Sequence, residues 1–156
     1  MDESDLEYVG FWARVGASLI DTVILLVISV PLLVWIYGWA YYTDPERGFI
    51  AGPADLMISW VLPAVATVLF WLYKTATPGK MAISARVVDA TTGQPMRAGQ
   101  ATIRYLGYFV SLLPLFFGFI WIGLDPRKQG WHDKIAGTVV VRPRHRGPAP
   151  VKFGGE

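Results

Sequence analysis

Three stretches of this chain are apolar almost without interruption, and polar segments separate them. Residues 15–36 carry one charge, Asp21, while residues 56–73 and 105–124 carry none. A helix rises about 1.5 Å per residue, so roughly 20 apolar residues cross about 30 Å of hydrocarbon. A soluble core helix of that length would show a polar face, and none of the three does. The pattern predicts two crossing helices and a third membrane-embedded segment. Between the second and third, "ISARVVDA" is β-branched and partly alternating, and "TTGQP" is a turn cluster. After the third comes "AGTVVVRPR", closed by Pro143. Because a lone hairpin is marginal in water, strands within 82–90 and 137–142 are expected to pair as a small sheet.

The third segment is expected to be broken. Its centre reads "SLLPLFFGF", where Pro114 removes a backbone donor and clashes with the preceding turn. Basic residues point the same way. Residues 38–55 hold only Arg47, whereas 74–104 hold Lys74, Lys80, Arg86, Arg97 and Arg104, which places the second loop in the cytoplasm. Seven more bases follow residue 124, and a straight third crossing would put them all outside. A re-entrant hairpin bent near Pro114 keeps both termini and both strands on the cytoplasmic side. One kinked crossing with an external tail is the alternative. Pro31 and Pro63 are expected only to kink their helices.

Composition sharpens this picture. The 156 residues are 53% hydrophobic and 17% charged, where about 25% charged is usual for globular chains. The absence of cysteine excludes disulfides and thiol chemistry. The acidic start, "MDESDLEYVG", is unlike a basic signal peptide, so the first apolar run should remain as an anchor. Three regions are expected: an acidic head at 1–8, a membrane domain at 9–142 and a disordered basic tail at 143–156. The net charge of +2 does not argue for nucleic acid, since the bases flank apolar runs and suit anionic lipid headgroups.

Candidate chemistry begins with Asp21, which at the bilayer centre would cost about 2.5–3.5 kcal/mol, and somewhat less nearer the edge. Arg14 lies two turns earlier on nearly the same face, with Ser18 and Thr22 widening a polar stripe. Asp21 is thus either a proton or cation site or a structural lock paired with Arg14 or another cation. A second cluster, "LDPRKQGWHDKIAGTVVV", holds Asp125, His132 and Asp133. Its spacing fits no zinc pattern; Asp133 is expected to cap a turn or to receive Arg14 or Arg86, and His132 to be solvated. In "TATPGKMAIS" a Pro–Gly turn should leave Lys80 among headgroups, since a phosphate loop would need more glycines. No Ser/His/Asp set is placed for nucleophilic catalysis, so no enzyme and no cofactor are expected.

Together, "VGFWARVGASLIDTVIL", "TPGKMAISARVVDATTGQPM" and "DPRKQGWHDKIAGTVVV" resemble the RDD family of bacterial membrane proteins, over about residues 8–142. The resemblance implies that Arg14 is the family arginine and Asp21 its first aspartate, with Asp133 matching the second better than Asp125. It also implies transport of undefined ligands, linked in some relatives to cation/proton antiport. The chain has few polar residues to line a route, so a transporter would need an oligomer or a partner.

The sequence therefore predicts an all-α multi-pass membrane protein with a small cytoplasmic β element, and the resemblance implies the bacterial inner membrane. Its expected partners are the bilayer, another membrane protein or copy, and a monovalent cation or proton. Two functions follow: a transporter in which Asp21 carries the ion, Arg14 tunes it and Asp133 gates, or a non-transporting module held by the same residues.

Overall fold

The computed structural model describes residues 5–144. Helix α1, Phe11–Tyr37, ends at Gly38, whose φ of 73° turns the chain back in a way that favours glycine. Its 27 residues extend about 40 Å. A single turn, α2 (Ala40–Thr43), leads toward the second long helix, α3 (Pro53–Lys74). Within α3, residues Leu56–Val61 form a π-helical turn just ahead of Pro63. Proline has no N–H to continue the ordinary ladder, and the Leu62 N–H instead reaches Met57 O, one residue further back. Leu19, Val23 and Val27 on α1, and Val65 and Leu69 on α3, are exposed. Apolar rows on helices of this length belong in hydrocarbon, so the protein is a multi-pass membrane protein.

A short helix, α4 (Pro78–Ala82), replaces the simple turn expected there and leads to β2 (Arg86–Asp89). Strand β3 (Thr138–Pro143) pairs antiparallel with β2, Val87 opposite Val140, as the β-branched runs predicted. Strand β1 (Leu6–Tyr8) adds a third member on the far edge of β3, with Leu6 opposite Pro143. Part of the acidic head thus joins the sheet, tied by a 2.6 Å ion pair between Glu7 and Arg142. Three residues are too few to announce a strand by their pattern. Of the tail expected to be disordered, residues 145–156 lie outside the described residues. Val9, Trp71, Val87, Met96, Ala101 and Val140 form one buried cluster that seats the sheet on the helices.

The third apolar segment is two helices, α5 (Ala98–Leu112) and α6 (Phe117–Leu124), bent by 101°. The break contains Pro114, and both Leu115 and Phe116 adopt positive φ, 50° and 63°. It therefore falls where Pro114 placed it. Gly118 packs directly on Ser111, and a Cβ there would collide with the Ser111 backbone and side chain. Both ends of the segment touch the sheet side: Arg104 donates to Thr138 Oγ1 at 2.8 Å, and Arg127, just past α6, donates to Ala90 O at 2.9 Å. Helix α7 (Trp131–Ala136) then lies against α5, with Gly107 allowing close approach to the His132 backbone.

Candidate functional site

Asp133 is the centre of the site. It lies in the first turn of α7, and its Oδ2 accepts the Gly130 N–H at 3.0 Å, satisfying a backbone donor at the helix start. The same oxygen receives Arg14 Nη1 at 2.5 Å from the first turns of α1. Its other oxygen, Oδ1, pairs with Arg104 Nη2 at 2.6 Å from α5. Asp133 and Arg104 are both fully buried, and Arg14 is 7% exposed. Burial pushes the Asp133 carboxyl up, but the Arg104 and Arg14 guanidiniums, aided by the Gly130 N–H, hold it well below the usual carboxylate range. Arg14 is further spent on backbone carbonyls, Val9 O at 2.9 Å and Lys128 O at 2.5 Å. One aspartate thereby fastens α1, α5 and α7 together.

Arg14 does not pair with Asp21. Seven residues of helix separate them by about 10.5 Å along the axis, and Asp133 meets the guanidinium first. Asp21 instead caps α4. Its Oδ1 accepts the Gly79 N–H at 2.7 Å and its Oδ2 accepts the Thr77 hydroxyl at 2.5 Å. Gly79 permits this contact, because a Cβ would overlap the Ala17 carbonyl on α1. The carboxylate is thus satisfied by neutral donors at the start of a helix.

That contact also corrects the expectation for Lys80. Drawn inward with Gly79, it is 6% exposed and not among headgroups. Among the described residues its ammonium makes one long hydrogen bond, 3.5 Å to Thr77 Oγ1. His132, expected in solvent, is 2% exposed. The Ser111 hydroxyl oxygen accepts the His132 N–H at 3.1 Å and lies 3.1 Å from Nδ1, while Tyr108 and Phe119 enclose the ring at 4.5 and 5.0 Å. Desolvation, opposed by Asp133 and reinforced by Arg104 and Arg14, lowers the imidazole to about 3. It is neutral at physiological pH.

Asp125 stands apart. It accepts the Arg127 and Gln129 N–H groups at 3.1 Å each and pairs with Lys134, shaping the loop before α7. Among the described residues no set of three His, Asp or Glu side chains converges as a metal site.

Two residues of note were not singled out from sequence. Arg104 counted there only as a topology-setting base, yet Ala101, Arg104, Gly107 and Ser111 are the buried face of α5. Small residues at helical spacing around one arginine are the signal that marks it. Asp55, near the other end of α3, is 1% exposed and bonded to Tyr41 Oη, the Ala51 N–H and Ser59 Oγ at 2.7, 2.8 and 2.7 Å.

Beside the network lies a cavity of about 480 Å³. Arg14, Lys80, Arg104, Asp21 and Thr77 line its polar end, and Ile24, Ile28, Leu62 and Phe70 are among the apolar residues beyond them.

A model of the RDD family matches residues 8–137. Two uncharacterized Bacillus subtilis proteins are each 32% identical to this chain. YxaI aligns over 147 residues, 85% of this chain and 95% of its own, and YckC over 136 residues, 85% and 83%. An uncharacterized Rickettsia prowazekii protein is 37% identical over 75 residues, 48% of this chain, and a Mycobacterium tuberculosis protein named "Proline-rich antigen homolog" is 38% identical over 63 residues, 40% of this chain. The aligned parts amount to only 41% and 26% of the lengths of these last two. No solved structure matches the chain.

Proposed function

The chain belongs to the RDD family, and from that premise we propose that it is a non-catalytic, non-transporting membrane module whose arginine and aspartates build and brace a bilayer-facing binding cavity. The observation that carries this reading is the clamping of Asp133 by Arg14 and Arg104 in full burial. A gating carboxylate must release its partners, and breaking a buried pair costs about 3–5 kcal/mol. Asp21 supports the same reading, since both its oxygens are engaged in holding α4 to α1. Beyond the polar end the cavity walls are mainly aliphatic and aromatic, with the Thr67 hydroxyl among them, which suits binding better than the stepwise passage of a hydrated ion.

The loop charges support an orientation with the sheet on the cytoplasmic side of a bacterial inner membrane. The bent α5–α6 pair then enters the bilayer and returns. The bend at residues 113–116 keeps part of its backbone paired, with the Phe116 N–H on Leu112 O and the Phe117 N–H on Pro114 O.

Ion flux tests the proposal. Purified protein in liposomes, under imposed proton, sodium or potassium gradients, should move no ions faster than empty liposomes do. Cation-dependent proton movement that Asp21→Asn abolishes, in a variant that still folds, would replace this reading with the antiport one.

A further inference from the structure

The polar end of the cavity has an excess of donors. Arg14, Lys80 and Arg104 bring three positive charges against the carboxylates of Asp21 and Asp133, and the neighbouring His132 is neutral. The two arginines are matched to Asp133, while Asp21 is taken up by Thr77 and Gly79. Two guanidiniums share one carboxylate, so the polar end keeps one net positive charge, and Lys80, 6% exposed, has only the long bond to Thr77 among the described residues. Two further donors on cavity-lining residues, Trp71 Nε1–H and Arg104 Nε–H, are buried without an acceptor among the described residues, and both residues are fully buried. A buried donor left unpaired costs about 1–3 kcal/mol, and an unpaired buried charge costs more. The oxygens of one anionic head would satisfy all three.

The rest of the cavity says what that anion is attached to. Its wall on α1 runs from Arg14 to Ile28. Fourteen helical steps amount to about 21 Å, more than the roughly 15 Å depth of one bilayer leaflet. Along that length it is lined by Leu25, Ile28, Leu62, Ala66 and Phe70. Its volume falls within the usual range for a small-molecule site.

We propose that the cavity binds an anionic amphiphile from the membrane, its phosphate or carboxylate head held by Lys80 with the Trp71 and Arg104 donors, and its acyl chain lying between α1 and α3. This identifies the ligand class of the binding module proposed above and rests on that reading.

Native mass spectrometry of the full chain in a neutral detergent tests it, using phosphatidylglycerol, phosphatidylcholine of the same chains, and palmitate. One phosphatidylglycerol should be retained in preference to phosphatidylcholine, and Lys80→Gln should weaken its binding about tenfold or more, as loss of a charge-assisted contact does. Lys80→Arg should restore it. Ala66→Phe, which fills the apolar part and leaves the charges alone, should also abolish retention while melting as the wild type does. Displacement of the lipid by palmitate assigns the site to any anionic head on a chain; failure to displace assigns it to the phosphodiester. Equal retention of the two phospholipids, or wild-type retention by both Lys80→Gln and Ala66→Phe, overturns the proposal. Ion flux through Asp21 alongside a preserved lipid preference would overturn the functional reading above but leave this site standing.

Discussion

Arg14 and Asp133 are 119 positions apart in the chain and meet at 2.5 Å. With Arg104 they join the start of the first helix, the first arm of the bent pair and the helix that feeds the central strand. Three elements thus meet at one carboxylate, and all three contribute walls to the cavity beside it.

Removing that carboxylate's charge should therefore be severe. Asp133→Asn keeps the shape but leaves two buried guanidiniums without their counter-ion, at a cost of about 3–5 kcal/mol. Thermal unfolding in detergent should show a large loss, or the variant should fail to accumulate. Asp125→Asn, whose partner Lys134 is exposed, should lose far less.

Asp21 should behave as a cap. Asp21→Ala removes the acceptors of both Thr77 and Gly79, and a loss of about 1–2 kcal/mol is expected on unfolding. Asp21→Asn retains one carbonyl oxygen for the Gly79 N–H and should lose less. An ion site would show the opposite pattern, with Asn as inactive as Ala in flux while stability is unchanged.

Close packing of α4 on α1 can be tested without touching charge. A Cβ at Gly79 would collide with the Ala17 carbonyl, so Gly79→Ala should cost about 1–3 kcal/mol. It should also expose Lys80, readable as faster labelling by an amine-reactive probe. Gly99→Ala, where a Cβ meets nothing within 4 Å, is the matched control.

Acid should act through His132. Its folded value, about 3, lies below the ordinary 6.5, so the unfolded chain takes up the proton first. The stability this contributes is complete above pH 6.5 and is lost as pH falls toward 3, by about 2 kcal/mol at pH 5. Ordinary carboxylates have hardly begun to titrate in the upper part of that window. Melting temperatures measured from pH 7 to 5 should fall more steeply for wild type than for His132→Gln.

How much of this could be read in advance follows from the range of each interaction. The two long helices, the break at Pro114 and the β2–β3 pair were legible because each is written in consecutive residues. That Asp21 needs a protein niche was legible from its cost in hydrocarbon. Its partners were not, since Thr77 and Gly79 reach it only after α4 folds back onto α1. Arg104 was hidden by ambiguity: a base near a membrane edge looks alike whether it faces headgroups or a buried carboxylate. His132 and Lys80 were misjudged as exposed for one reason, that neighbouring elements bury them. Gly107 and Gly118 allow α5, α6 and α7 to close over the ring, and Gly79 lets α4 carry the lysine inward. Strand β1 was too short to show a period and depends on β3 for its existence.

The coupling between Arg14 and Asp133 is measured most directly by a double-mutant cycle of Arg14→Leu, Asp133→Leu and the pair, with unfolding free energy as the readout. The single variants should each be strongly destabilised, and the double variant should recover part of the loss, a coupling of about 1.5 kcal/mol or more, because it leaves no orphaned charge between these two positions. Strictly additive losses, or single variants as stable as the wild type, would contradict a bracing role for these residues.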